Sequence, residues 1–415
     1  MSDPKDLDGV RPNTAIITRG FDPRLSVGSA RPAVFRTSTY VFETPEAAER
    51  AFNLASGRET AEPGERIDLI YSRFNHPNAE IFEDQVVPIE KAATAAAVFN
   101  SGMAAIMTAI LSFAKPGDTI VYTTPLYGGT QGLIHDLLEP FGIRGVPVHA
   151  GLAEPLAQAI EKAERLALVL VETPANPTMT MTDIRLAVEA CRRRADCPLV
   201  MVDNTFLGPA FQHPLEIGAD VALYSATKYF SGFSDVIAGI AIGRDPAVIT
   251  KIKAKRGLFG NILPPDECWL LDSRLPTLIL RMTRQSKNAQ RVAEKLLGHP
   301  KIARVYYPTL FDDPEQIRIR LAQCDFPGGL FSIDLKGGKS AAFDFLRHLR
   351  IAKNAVSLGG METLVCHPKT TTHSGLTAEE MQAAGITDGI VRVSVGVEDW
   401  RDLLEDFEQA LTHVN

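Results

Sequence analysis

From residue 78 onward the apolar residues of this chain gather in short unbroken runs that alternate with longer stretches of helical period. The spacing predicts a helix over Ala79–Glu90, a strand over Ala95–Phe99, a helix over Met103–Phe113 and a strand over Thr119–Tyr122. It continues with a strand over Leu166–Val171, a helix over Asp183–Arg194 and a strand over Pro198–Val202 that closes at Asp203. Alternation of this kind implies a mostly parallel sheet with helices on both faces. Such a sheet takes its ligands beyond the C-terminal ends of its strands. After about residue 280 the texture changes: helices over Ala289–Leu297, Gln316–Gln323 and Ala341–Leu349, strands over Leu330–Leu335 and Ile390–Val395, and an amphipathic final helix. That helix carries Leu403, Phe407 and Leu411 on one core-facing stripe. Before residue 78 only short apolar pieces such as Ala33–Phe42 stand among Pro, Gly and charged residues, with a polar run over Ser56–Asp68. The expected organisation is an arm over residues 1–77, a large α/β domain over 78–280 and a smaller C-terminal α+β domain over 281–415.

Composition narrows the class. Hydrophobic residues at 45% and charged residues at 22% match an ordinary globular protein. A net charge of -7 offers no attraction to a polyanion, so nucleic acid is not an expected partner. The five cysteines, Cys191, Cys197, Cys268, Cys324 and Cys366, are scattered without a C-x-x-C pair, which argues against a disulfide framework or a structural zinc site. Cys366, His367 and His373 are the nearest thing to a ligand cluster, and no metal is expected there. The N-terminus, with Asp3, Lys5, Asp6 and Asp8, lacks the regions of a secretory signal. Asn100, Ser101 and Gly102 interrupt the apolar stretch Ala92–Ala114, which reads as strand, turn and helix rather than a membrane span. A cytoplasmic protein without a membrane partner is the expectation.

Three positions beyond strand ends carry chemistry. Lys228, in Ser225-Ala226-Thr227-Lys228, follows the apolar run Val221–Leu223. A lysine amine in a desolvated site loses its preference for the charged form and can condense with an aldehyde. The hydroxyls of Ser225 and Thr227 are placed to hold a phosphate; read blandly, Lys228 is one of many solvated lysines. Asp203 can keep a pyridinium nitrogen protonated, although an Asp after a strand also serves as a helix cap or a metal ligand. At Ser101-Gly102-Met103 a helix begins after a strand, so backbone N–H groups there form an anion site that Gly102 lets a phosphate approach. No G-x-x-x-x-G-K-[ST] and no post-strand G-x-G-x-x-G is present, so nucleotide readings lose their usual support.

Taken in order, Tyr71-Ser72-Arg73, Ser101-Gly102-Met103, Tyr127-Gly128-Gly129-Thr130, Glu172–Pro177, Val202–Thr205 and Ser225–Lys228 resemble the Cys/Met-metabolism pyridoxal-phosphate (PLP) family. The resemblance continues through Ser357-Leu358-Gly359, His367-Pro368, Thr372-His373-Ser374 and Arg392–Gly396. It implies the fold type I architecture of PLP-dependent transferases, with a large mostly parallel-sheet domain and a smaller α+β domain. It also implies a homotetramer built as a dimer of active dimers, the N-terminal arm contacting a neighbouring subunit. By the same resemblance Lys228 is the Schiff-base lysine and the residue that takes the Cα proton. Asp203 pairs with the ring nitrogen, and Tyr127 stacks on the ring and protonates a departing thiolate. The phosphate lies among Ser101, Gly102, Met103, Ser225 and Thr227, with Tyr71 and Arg73 supplied by a neighbouring subunit. Asn176 lies near the ring hydroxyl or is a structural part of its Pro-Ala-Asn-Pro turn. Arg392, with Ser357, holds the substrate carboxylate, a task suited to a planar guanidinium.

The implied activity is cleavage of the carbon–sulfur bond of cystathionine or methionine by γ-elimination, giving a 2-oxo acid and ammonia. The alternatives are a γ-replacement synthase using a homoserine ester and, more remotely, a non-catalytic PLP-binding protein. The run Ala355–Leu364 looks most like methionine γ-lyase, with an apolar residue before Ser-Leu-Gly. Gly129 stands where a cysteine is usual in that enzyme, and Phe259-Gly260 replaces its Lys-Asp pair. His76-Pro77-Asn78 and Ser273–Leu278 also depart from the usual pattern and mark a divergent subgroup.

Overall fold

The computed structural model describes residues 10–62, 65 and 67–414. The N-terminal residues Asp3, Lys5, Asp6 and Asp8, and three positions within the polar run at 56–68, lie outside the described residues. Seven strands form the larger sheet: β1 (Ala95–Phe99), β2 (Thr119–Thr124), β3 (Arg144–His149), β4 (Leu166–Glu172), β5 (Leu199–Asp203), β6 (Val221–Ser225) and β7 (Gly239–Gly243). Their order is β1-β7-β6-β5-β4-β2-β3, and β7 alone runs antiparallel to its neighbours. Alternate residues feed two cores. On one face Ile120, Tyr122, Leu168 and Leu170 pack against Ile106 and Ile110 of the Gly102–Phe113 helix; on the other Val121, Val169 and Val171 meet Leu156, Ile160, Ile184 and Val188.

Local chemistry explains where elements start and stop. Ser101 caps the Gly102–Phe113 helix by accepting from the Ala104 N–H, and Asp183 caps Ile184–Arg193 through Leu186. The helix expected over Ala79–Glu90 begins earlier, at Pro77, because the His76 side chain caps it. It ends at Val86, where Pro88 breaks the ladder and the chain continues as a 3-10 turn over Val87–Ile89. The spacing did not predict β3 or β7. The latter follows β6 without a helix and has glycines at both ends, and a Cβ at Gly239 would collide with the Ser101 carbonyl. That glycine lets the start of the Gly102–Phe113 helix press onto the sheet edge.

The smaller sheet comprises β8 (Ile302–Tyr306), β9 (Leu330–Leu335), β10 (Lys353–Asn354), β11 (Leu364–Cys366) and β12 (Ile390–Ser394), in the order β10-β11-β12-β9-β8. One face, with Phe331, Ile333, Val391 and Val393, packs on Val292, Phe345, Leu403, Phe407 and Leu411, the last three from the amphipathic final helix Trp400–Leu411. The other face turns to the larger sheet. Ser332 donates to the Pro177 carbonyl at 2.8 Å, and Arg392, opposite it in register, points the same way.

Toward the N-terminus, the Pro12–Thr18 helix buries Ala15 and Ile16 beside the Pro77–Val86 helix, and a second helix spans Pro45–Ala55. Arg31 pairs with Asp272, and a bridge joins Thr39 to Tyr71. No helix among the described residues is long and apolar enough to cross a membrane.

Candidate active site

The C-terminal ends of β4, β5 and β6 and the inward face of the smaller sheet enclose a cavity of about 960 Å³. Eleven of the residues singled out from sequence line it: Ser101, Gly102, Met103, Tyr127, Asn176, Asp203, Ser225, Thr227, Lys228, Ser357 and Arg392. Tyr71 and Arg73 do not line it. Tyr71 is exposed, and Arg73 donates to the Gly257 carbonyl at 2.7 Å with its guanidinium over the Phe74 ring.

Lys228 follows β6 and is largely withdrawn from water. Burial, and then the nearby Arg392 charge, lower its pKa from the ordinary lysine value to about 8. Its Nζ donates to Ser357 Oγ at 2.9 Å. The Ser357 loop approaches so closely because residue 359 is glycine: a Cβ there would lie 2.8 Å from the Tyr229 nitrogen, at a φ of +77°. Ser357 itself adopts a φ of 95°, so this loop holds strain where it meets the lysine.

Asp203 ends β5 and faces Glu172, its registered neighbour on β4. Burial raises both carboxyl pKa values, and the Asp203 charge raises that of Glu172 further. Asp203 accepts the Thr205 hydroxyl at 2.6 Å and the Thr205 N–H at 3.1 Å; Glu172 accepts the Tyr127 N–H at 2.7 Å. Neither carboxylate has a salt-bridge partner among the described residues. Two carboxyls side by side with only neutral hydrogen-bond donors are held toward their protonated forms, and a cation placed beside them would favour the ionised ones. Glu172 and Thr205 were not assigned roles from sequence. Thr205 stands just beyond the end of a strand, which is a signal for it; Glu172 also ends a strand, but its meaning lies in its register with Asp203.

The anion end lies where the Gly102–Phe113 helix begins. A Cβ at Gly102 would come within 2.9 Å of Ser225 Cβ, so the glycine opens the cradle between helix start and β6. The first amide hydrogens of that helix are not used by its own ladder. The Thr227 hydroxyl is engaged with Ala238, donating to its carbonyl at 3.2 Å. Tyr127 lies close over Gly129, where a Cβ would come within 2.6 Å of its ring, and its side chain is about half exposed at the cavity mouth.

Arg392, on β12, is only 3% exposed. It donates to Asn176 Oδ1 at 3.2 Å and to the Ser357 carbonyl at 2.8 Å, and its Nε has no hydrogen-bond partner among the described residues. A buried guanidinium without a carboxylate partner is suited to receive one from a ligand. Farther out, Gln131, Asp136, Ser374 and Glu380 give the cavity a polar rim.

A model of the Cys/Met metabolism PLP-dependent enzymes matches residues 13–412. The L-methionine gamma-lyase of Pseudomonas deceptionensis is 38% identical over 400 residues, covering 96% of each chain. The cystathionine beta-lyase of Bacillus subtilis is 38% identical over 83% of this chain and 86% of its own. Among solved structures, cystathionine gamma synthase from Xanthomonas oryzae pv. oryzae in complex with cystathionine superposes with a TM-score of 0.87 at 32% identity, covering 97% of this chain and 98% of that one.

Proposed function

The chain belongs to the Cys/Met metabolism PLP-dependent enzymes and is a transsulfuration-type PLP enzyme, and from that premise we propose that it cleaves the carbon–sulfur bond of cystathionine or methionine by γ-elimination. The observation that carries this reading is that one cavity joins an amine of lowered pKa, an uncompensated carboxylate pair and an unpaired buried guanidinium from distant segments. PLP fits these residues. Its aldehyde suits Lys228, its cationic ring nitrogen supplies the charge that Asp203 and Glu172 lack, and its phosphate suits the cradle opened by Gly102. When bound, it supplies an electron sink for a carbanion at Cα.

Arg392 receives the substrate carboxylate, with Ser357 and Asn176 holding the guanidinium in place. Lys228, the residue that would hold the cofactor, would also take the Cα proton. With a pKa of about 8 a fraction of it is free amine near neutral pH, able to take the Cα proton and, once that proton has been passed on, a second proton from Cβ before the γ substituent departs. Thr205 holds the Asp203 carboxylate, which would pair with the ring nitrogen. Tyr127 would cover the ring and protonate the departing thiolate, and Ser101, Met103 and Ser225 would complete the phosphate cradle, with Thr227 joining it on release of its hydroxyl from the Ala238 carbonyl.

Tyr71 and Arg73 complete the same site in a neighbouring subunit within a cytoplasmic homotetramer. Their exposure and their absence from the cavity lining of their own chain support that assignment. The units assembled this way are the arm over 1–77, the PLP-binding domain over 78–280 and the C-terminal domain over 281–415.

A second reading, γ-replacement on a homoserine ester, is favoured by the cavity's size and polar rim, which accommodate a second amino acid. Mass spectrometry of the 2-oxo acid released from L-cystathionine separates the two. 2-Oxobutyrate supports γ-elimination; pyruvate points to β-cleavage, and no product points to the ester-dependent reaction.

A further inference from the structure

The segment carrying Thr372 and His373 forms the cavity wall between the Tyr127 turn and Arg392. It is pressed against that turn: a Cβ at Gly128 would lie 2.7 Å from the Thr372 carbonyl oxygen. His373 is 1% exposed, and its Nε2 makes no hydrogen bond of ordinary geometry among the described residues, the Asn176 carbonyl being only a weak acceptor near the ring. Its Nδ1 stands 2.9 Å from Thr372 Oγ1. Burial and the Arg392 charge lower its pKa to about 4, the Asn176 carbonyl opposing them weakly, so the ring is neutral near pH 7 and carries one N–H.

We propose that His373 is a substrate-binding residue whose Nε2–H donates to the α-carboxylate received by Arg392. This rests on the reading of Arg392 given above. Two buried, unpartnered nitrogens, Arg392 Nε and His373 Nε2, belong to residues on the same cavity wall, and a carboxylate has two oxygens to offer them. Neutrality matters here, because a second cation beside Arg392 would be repelled while a neutral donor is not. The Thr372 hydroxyl, 2.9 Å from Nδ1, can donate to it, and in that arrangement the hydrogen stands on Nε2; the other tautomer would turn a lone pair toward the carboxylate.

The test uses the PLP-loaded enzyme and two ligands, followed by the change in visible absorbance. L-Norvaline has no γ leaving group and reports binding without γ chemistry, and butylamine is the same molecule without its carboxylate. His373→Leu is expected to weaken norvaline by about tenfold or more, the effect of one charge-assisted hydrogen bond, and to leave butylamine within about twofold. His373→Gln, which restores an amide donor, recovers most of the loss. Thr372→Val, which leaves the buried ring in place, weakens norvaline several-fold and butylamine not at all. Equal losses for both ligands would assign His373 to supporting the Asn176 turn and overturn the proposal, as would unchanged norvaline binding. Wild-type enzyme that binds norvaline no more tightly than butylamine would overturn the Arg392 reading and this one with it. That failure shows in the wild type, whereas failure of the His373 proposal alone shows only in the variants.

Discussion

Two buried carboxylate sites, one at Glu83 and one at Glu172 and Asp203, share their depth and differ in everything else. Glu83 accepts from Arg256 Nη1 at 2.6 Å and from the Val98 N–H at 3.0 Å, and Lys253 Nζ lies 2.6 Å away. Burial alone would raise its pKa, but the two cations outweigh that and hold it at about 2. Glu172 and Asp203 meet the same burial with neutral hydrogen bonds only, and both are pushed upward. The lesson is that burial does not mark a functional acid; a missing counter-charge does. Glu83 is internally neutralised and fastens the Pro77–Val86 helix to β1 and the Pro246–Phe259 helix, whereas the pair in the cavity waits for a charge from outside the chain.

The largest expected effect comes from removing the amine that accompanies that charge. Lys228→Ala should lower turnover by roughly a thousandfold or more and abolish the visible band of the lysine-bound cofactor, both read on purified protein. Next, Arg256→Met takes one of the two cations from Glu83 and leaves Lys253 as its remaining partner among the described residues. It should cost about 3–5 kcal/mol in denaturant unfolding while the cofactor spectrum of the folded fraction stays unchanged. Asp203→Asn makes the reverse change at the cavity. It should weaken PLP binding by about tenfold to a hundredfold and yet raise the melting temperature of the cofactor-free protein at pH 8, so that calorimetry and titration move in opposite senses.

The smallest effect is at Glu90, which stands between the two cases. It is buried, feels the neighbouring Lys91 charge only weakly, accepts the Tyr224 hydroxyl at 2.6 Å, and is raised by burial to about 8. The folded state therefore keeps its proton after the unfolded chain has released one. The stabilisation is fully present below pH about 4.3, the value in an unfolded chain, and is lost as pH rises through about 8. Glu90→Gln should flatten the fall in melting temperature between pH 5 and pH 8 measured on the same buffer series; an unchanged slope would show that Glu90 does not set it.

Much of the larger sheet was legible because its strands are continuous apolar runs. β1 and β9 have the bounds that the spacing predicts, and Asp203 and Lys228 stand just where a parallel sheet presents its ligand edge. The strand β7 was hidden because glycines at both of its ends shorten the apolar signal and because no helix separates it from β6. The residues of the smaller sheet were harder. Arg392 sits in mid-strand and is aimed by the period of two, so nothing local marks it as different from a solvated arginine until β12 is seen to face the cavity. Glu172 was missed for another reason: its significance is its register with Asp203 across two strands 31 positions apart, a relation that only pairing reveals.

Borohydride reduction of the PLP-loaded enzyme, followed by digestion and peptide mass spectrometry, tests the central claim most directly, because it fixes the cofactor to the lysine that holds it. The account predicts the pyridoxyl mass on the peptide containing Lys228 and on no other. Its appearance on a different lysine, with Lys228 unmodified, would contradict the account and dissociate the cofactor from the carboxylate pair.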